Sequence, residues 1–219
     1  MPSRPVPDAL LPWALSVLKV TGNDVVPALS VVAGDARNRR YFRFTWQGLD
    51  YVLAEAPPAT EKNEAFLAVR ELLAHAGVRV PQVYGADLNR GFLLLEDLGD
   101  ELLLPRLHED SVDGYYGSAF AILQRMAAAG AQYAELGDYD RPLLLEELSR
   151  FPEWFVEKLL GLALDRSELD LLDSAFETLV NSALEQPSVL VHRDFHSRNL
   201  MLDAAGNLAV IDFQDAVAG

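Results

Sequence analysis

Apolar and polar positions along the chain alternate between two periods, and the switches mark its elements. Residues 8 to 20, DALLPWALSVLKV, predict a short amphipathic helix interrupted early by Pro12. The runs ALSVVAG (28 to 34) and RRYFRFTWQGLDYVLAEAP (39 to 57) are strand-like, and Gln47-Gly48 in the second falls where a hairpin turn belongs. Pro57-Pro58 ends that section. ATEKNEAFLAVRELLAHAG then sets Phe66, Val69, Leu72, Leu73 and Ala76 at helical spacing, with Gly77 as a natural stop. VPQVYGAD and GFLLLEDLG predict two further strands.

After LLLEDLG the pattern changes. Residues 112 to 129, 143 to 161 and 167 to 185 are helical by spacing, and Ser167 with Asp170 resembles a capping box. The predicted class is α+β. Residues 1–97 form an N-terminal lobe of mostly antiparallel sheet with one long helix, and residues 98–219 form a mainly helical C-terminal lobe. No repeat or low-complexity tract interrupts either part.

Composition narrows the function. Half of the 219 residues are hydrophobic, enough for a packed core and too many for a disordered chain. No apolar run approaches the ~18 residues that span a bilayer, and no signal peptide is evident, so a soluble cytoplasmic protein is expected. The absence of cysteine excludes disulfides, thiolate chemistry and cysteine-based zinc sites. A formal net charge of −15 argues against nucleic acid and anionic membranes as partners.

The chemistry concentrates in HRDFHSRNLMLDAAGNLAVIDF, residues 192 to 213. Asp203 to Asn207 is rich in turn residues between two apolar runs, which predicts a β-hairpin. That hairpin sets Asn199 and Asp212 almost opposite each other, where Cβ atoms are ~4.5–5.5 Å apart and two oxygen ligands can share one cation. Asp194 precedes Asn199 on the loop that enters the hairpin. A free carboxylate beside a two-ligand metal site matches the phosphoryl-transfer pattern H-R-D-x-x-x-x-N followed by D-F-G, here ending Asp212-Phe213-Gln214. Asp194 accepts or orients the proton of a substrate hydroxyl, and Asn199 and Asp212 hold Mg²⁺ against nucleotide phosphates. Three plainer readings compete. His192, Asp194 and His196 alternate as in a two-His, one-carboxylate iron site; Asp194 alone could be a loop cap; Asp212 alone could end a strand.

With these residues in view, the sequence resembles the aminoglycoside phosphotransferase family, small-molecule relatives of protein kinases, over nearly its whole length. Within it, RNRRYFRF, EAPPATE, GFLLLEDLG, FPEWFVE, HRDFHSRNLM and IDFQDA are most similar to the bacterial anomeric kinases of N-acetylmuramate and N-acetylglucosamine. The resemblance implies a two-lobed, protein-kinase-like fold and transfer of the ATP γ-phosphate to the C1 hydroxyl of an amino sugar in cell-wall recycling. It makes Asp194 the catalytic base and Asn199 and Asp212 the Mg²⁺ ligands. It sets the backbone of Glu96, Asp97 and Leu98 against adenine and gives His192 a structural role. Glu147, Arg150, Trp154, His196 and Arg198 become candidates for the sugar. Trp154 and Phe155 equally suit a helix core, and Glu147 with Arg150, three apart, equally suit a surface pair. Two alternatives stay open: another acceptor, such as an aminoglycoside or choline-like compound, and a non-catalytic, kinase-shaped binding module.

Two departures from the family pattern stand out. The strand DYVLAEAPP lacks the lysine that normally meets the α- and β-phosphates, and Lys19, Lys62 and Lys158 are the chain's only lysines. Arg37, Arg39, Arg40 and Arg43 lie near the expected phosphate site; Arg40 is the expected substitute and Lys62 the second choice, since a guanidinium fork suits phosphate oxygens. The covering loop VAGDARN carries only Gly34. The second departure is the chain's end at Gly219, seven residues after Asp212, where family members continue into further helices. The expectation is an incomplete C-terminal lobe and a chain that is poorly soluble or weakly active alone.

Overall fold

A computed structural model of the chain describes residues 5–20, 26–32, 39–129 and 136–219. Gly34, Arg37 and most of the VAGDARN segment lie outside them. In chain order the elements are α1 (Leu10–Val17), β1 (Ser30–Val31), β2 (Arg40–Trp46), β3 (Leu49–Glu55), α2 (Asn63–His75), β4 (Val83–Asp87), β5 (Phe92–Glu96), α3 (Val112–Ala129), α4 (Arg141–Arg150), a π-helical segment (Phe151–Leu159), α5 (Arg166–Leu184), β6 (Leu190–Val191), β7 (Leu200–Leu202), β8 (Leu208–Val210) and β9 (Val217–Ala218). They group into two compact units. The first holds residues 1–125 and 194–215, the second residues 126–193 and 216–219. The division expected at residue 97 falls elsewhere, because the 194–215 segment returns to the first unit: the Leu103 amide donates to Leu200 O, and the Val210 amide to Arg79 O.

The first unit is an antiparallel five-stranded sheet in the order β1-β2-β3-β5-β4. Its tight hairpin sits where the sequence predicts it. Gln47 and Gly48 have φ of 51° and 79°, the doubly left-handed two-residue turn whose twist matches its flanking strands. Alternation along the strands separates two faces. Phe42, Phe44, Tyr51, Leu53, Phe92 and Leu94 form one cluster with Leu10 and Ala14 of α1. Pro12 is harmless in α1 because it falls in the first turn, where no intrahelical N–H is required. Helix α2 ends as Gly77 predicts: at φ 73° its amide reaches Ala74 O, and the Val78 amide reaches Leu73 O.

In the second unit, α5 starts with a capping box one turn-edge earlier than expected. Asp165 accepts from the Glu168 amide at 2.9 Å and Glu168 accepts from the Asp165 amide at 2.8 Å. Ser167 lies inside the first turn, and Asp170 pairs with Arg166 at 3.0 Å instead. The single helix predicted over 143 to 161 is two segments, α4 followed by a nine-residue π-helix. Pro152 has no N–H to donate, and the ladder widens around it. Strands β6 and β9 close this unit as a short antiparallel pair. No helix of the described residues is long and apolar enough to cross a membrane.

Candidate active site

The hairpin formed by β7 and β8 is built from its turn outward. The Asp203 carboxylate accepts from the amides of Ala205 (3.0 Å) and Asn207 (2.9 Å), which closes the reversal. These backbone donors, opposed by slight burial, hold its carboxyl below the ordinary range. Leu200 then pairs with Val210 and Leu202 with Leu208, all buried, so the ladder is anchored by apolar contacts. Continued outward, this register sets Asn199 against Ile211, whose amide donates to Asn199 O at 3.0 Å. Asp212 therefore lies one position beyond the facing pair the spacing predicted. Its backbone turns left-handed there, with φ 60°. Such a conformation is uncommon for a side chain other than glycine and clusters at functional sites.

Around that bend the polar groups are specifically tied. Asn199 Nδ2 donates to the backbone oxygen of Asp194 at 3.0 Å, so the amide oxygen Oδ1 is the end left to accept or ligate. Gln214 Nε2 donates to Asp212 Oδ1 at 2.8 Å. The carboxylates of Asp194 and Asp212 are both exposed. Directly after Asp212, Phe213 is fully buried and stacks on Phe66 of α2, centroids 5.0 Å apart. The anchored ring fixes the backbone from which Asp212 projects. An amide oxygen and a carboxylate are hard donors of the kind Mg²⁺ or Ca²⁺ accepts. Among the described residues no three His, Asp or Glu side chains gather as a metal site. A cation here would complete its shell with ligand oxygens and water, and the His192, Asp194 and His196 iron triad does not assemble.

The structure places the other sequence candidates as follows. Glu96 ends β5, where its carboxylate takes both ends of the Arg79 guanidinium and the Gln82 amide. Those donors, led by Arg79, hold its carboxyl low despite partial burial. Asp97 is held by Arg43, with Nη2 to Oδ1 at 2.9 Å, and also accepts from the Gly99 amide. Leu98 is buried. The side chains of this stretch are thus tied to neighbouring elements, which rigidifies its backbone. Arg40 lies across the ladder from Glu55, and its Nε donates to that carboxylate at 2.6 Å. Lys62 pairs with Asp215 at 2.7 Å, three residues beyond Asp212. His196 and Arg198 are exposed on the turn before Asn199.

Four candidates belong to the second unit. His192 is buried at 2% exposure. Glu147 and Arg150 do not pair with each other: Arg150 reaches Glu146, while Glu147 accepts from Arg193 Nε at 3.0 Å and from the Tyr139 hydroxyl. Burial pulls the Glu147 carboxyl up, but these donors outweigh it and hold the group low. Burial and the Glu147 bond push the Tyr139 hydroxyl up to about 12. Arg193, the residue before Asp194, has φ 72° and is braced by this contact. Trp154 is exposed with Lys158 Nζ 3.6 Å over its ring, so it is not core among the described residues.

Sequence reasoning missed Arg79. Its backbone oxygen holds Val210 of β8, its guanidinium holds Glu96, and its Nε lies 3.5 Å from Asp203 in the hairpin turn. The lone arginine in GVRVP, between the α2 stop and β4, gives no periodic signal of that role. Arg39, set aside in favour of Arg40, is also more deeply placed than the sequence suggested: it is 6% exposed and lies over Phe66.

Comparison with known proteins shows the family and the fold. Residues 28–219 match the model of the phosphotransferase enzyme family. The chain is 42% identical over 196 residues to an N-acetylmuramate/N-acetylglucosamine kinase of Pseudomonas putida, covering 89% of this chain and 57% of the relative. It is 43% identical over 201 residues to the protein of the same name from Pseudomonas aeruginosa, covering 90% and 56%. The chain thus spans little more than half the length of these relatives. In structure it is similar to an aminoglycoside phosphotransferase, APH(2")-IIa, in a streptomycin–ATP ternary complex, with TM-score 0.65, 14% identity and coverage of 99% and 75%. That likeness shows the α+β, protein-kinase-like fold. With a match that runs from before β1 to the last residue and takes in the whole Asp194–Asp212 hairpin, the chain belongs to the phosphotransferase enzyme family.

Proposed function

We propose that the chain carries the donor-handling and proton-accepting machinery of an ATP-dependent kinase that phosphorylates the anomeric hydroxyl of an amino sugar in the cytoplasm. The observation that carries the reading is the tie between Asp194 and the hairpin. One amide, Asn199, both holds the Asp194 backbone at 3.0 Å and offers its oxygen near the bend that presents Asp212. A binding module gains nothing from two exposed carboxylates, one following left-handed Arg193 and the other itself left-handed. In the reaction, the C1 hydroxyl oxygen bonds to the γ-phosphorus while the bond from that phosphorus to the β–γ bridging oxygen breaks. The hydroxyl proton passes to the Asp194 carboxylate, and ADP leaves with the former bridging oxygen. Asn199 and Asp212 hold Mg²⁺, which when bound neutralises charge on the phosphates. The backbone of Glu96 to Leu98, steadied by Arg79 and Arg43, receives adenine. The names of the two Pseudomonas relatives support N-acetylmuramate or N-acetylglucosamine as acceptor, with His196 and Arg198 as candidate contacts.

The test is a panel of hydroxyl compounds with ADP release as readout, comprising N-acetylmuramate, N-acetylglucosamine, an aminoglycoside and choline. Turnover confined to the two amino sugars is expected, with product phosphorylated at C1. Asp194→Ala should lower kcat by about 10³-fold while still binding nucleotide. Turnover on choline alone, or an Asp194→Ala variant as fast as the native chain, would refute the reading.

A further inference from the structure

Arg39 is a buried cation whose hydrogen bonds are incompletely met. It is 6% exposed, and its Nε and Nη2 are sealed from solvent with no hydrogen-bond acceptor. Glu61 Oε2 lies 3.2 Å from Nε, an ion pair without hydrogen-bond alignment. Glu61 offsets the charge, but the buried N–H groups remain costly until an acceptor meets them.

Strand geometry separates the two neighbouring arginines. Arg40 pairs with Glu55 and lies over Phe42, within the cluster that α1 covers. Arg39, one residue earlier, lies over Phe66 of α2, 5.2 Å from the ring centroid. Phe66 in turn stacks on Phe213, the neighbour of Asp212. Adjacent arginines are thus directed to opposite faces, and only Arg39 shares its face with the aromatic stack behind Asp212. Across from it, at the end of the strand where the phosphotransfer pattern calls for a lysine, Ala54 and Ala56 are fully buried methyl groups. They bring no charge to that face, and the cation there comes from the neighbouring strand.

We propose that Arg39, oriented by Phe66 and Glu61, is the residue that receives the polyphosphate of the donor nucleotide in place of the absent strand lysine. The assignment rests on the phosphotransfer reading of the site and moves to Arg39 the role first given to Arg40. An arriving phosphate supplies the acceptors that Nε and Nη2 lack, and the unaligned Glu61 contact leaves the fork able to turn toward it.

The test compares Mg–ADP with adenosine, which shares the base and lacks phosphates, by calorimetric titration of the whole chain. Arg39→Met should weaken Mg–ADP by about tenfold or more while adenosine stays within about twofold. Arg39→Lys keeps the charge without the fork and should weaken Mg–ADP by an intermediate factor; it carries the test if the methionine variant does not fold. Arg40→Met is the competing arm. The proposal fails if the ratio of the two affinities is unchanged in Arg39→Lys and Arg39→Met, if both ligands weaken equally, or if Arg40→Met alone shifts the ratio. Because no sugar is present, a native chain that phosphorylates no amino sugar would sink the proposed function and leave this ratio readable.

Discussion

Glu147 offers a sharp separation between bracing and sugar binding. Its side chain is 25% exposed and faces an Arg193 side chain that is 17% exposed, with Tyr139 Oη as third member. Glu147→Gln keeps the shape, removes the charge and turns one acceptor into a donor aimed at donors. Hydrogen bonds to charged groups contribute ~1.5–3 kcal/mol each, and breaking a fully buried pair costs ~3–5 kcal/mol. Partial exposure reduces both, so a loss of about 2 kcal/mol is expected in urea unfolding at pH 7. The pH dependence carries its own signature. The folded carboxyl is held low, so its contribution is present above the unfolded value of ~4.3 and is lost as pH falls through the lower folded value. The gap between native and variant chains should therefore close in acid. Tyr139, pushed up to about 12, acts at the other end: its contribution is complete below pH ~10 and is lost as pH climbs toward 12. A variant within about 0.5 kcal/mol of the native chain at pH 7, or a gap that does not narrow on acidification, would refute the brace. If Glu147 instead met the sugar, the variant would raise KM for the sugar and leave stability alone.

Three further outcomes follow from the same geometry. Gly91→Ala should cost more than about 3 kcal/mol or prevent folding, because at φ +69° a Cβ would stand 2.0 Å from Ala56 O; a thermal melt near native would contradict this. Arg79→Met should cost about 1–2 kcal/mol in urea unfolding, an effect lost in acid as pH falls through the lowered Glu96 value, and it should weaken nucleotide binding. Phe213→Leu should cost about 1–3 kcal/mol in the same assay by removing a fully buried ring and its stack on Phe66. The same variant should also raise the Mg²⁺ concentration at half-maximal rate while KM for the sugar holds.

What could be read from the sequence was whatever depends on neighbours in the chain. Gln47-Gly48 and Gly77 fix their own backbone, so the hairpin and the end of α2 appear where they were expected. The 112 to 129 helix matches α3 at both ends. Where a local rule met a competing local group, it failed by a step. Asp165, a free acceptor at the true N-cap, took the capping box from Ser167, and Pro152 divided a predicted helix into α4 and a π-helix. The partners of Glu147 were out of reach for another reason. Helical spacing offers Arg150, three residues on, whereas the chosen partner Arg193 is 46 residues away and brought in by the fold.

The two arginines 39 and 40 show why composition points to a site but not to its residue. RNRR announces a cluster of cations, and any of them could meet a phosphate. Which one does is a question of parity, and parity is set by register. The Arg40–Glu55 facing pair decides it: that pair commits Arg40 to the α1 face, and the next side chain back must turn the other way. A slip of one residue in the β2–β3 ladder would exchange the two roles and send Phe42 and Phe44 out of the core. The apolar cluster under α1 forbids that slip, so the packing that stabilises one face of the sheet also selects the cation on the other. The β7–β8 hairpin follows the same logic. Buried Leu200, Leu202, Leu208 and Val210 lock a register in which Asn199 meets Ile211, and Asp212 follows it on a backbone that turns left-handed. Sequence spacing set Asn199 against Asp212; the register of the buried ladder sets it against Ile211, one position earlier.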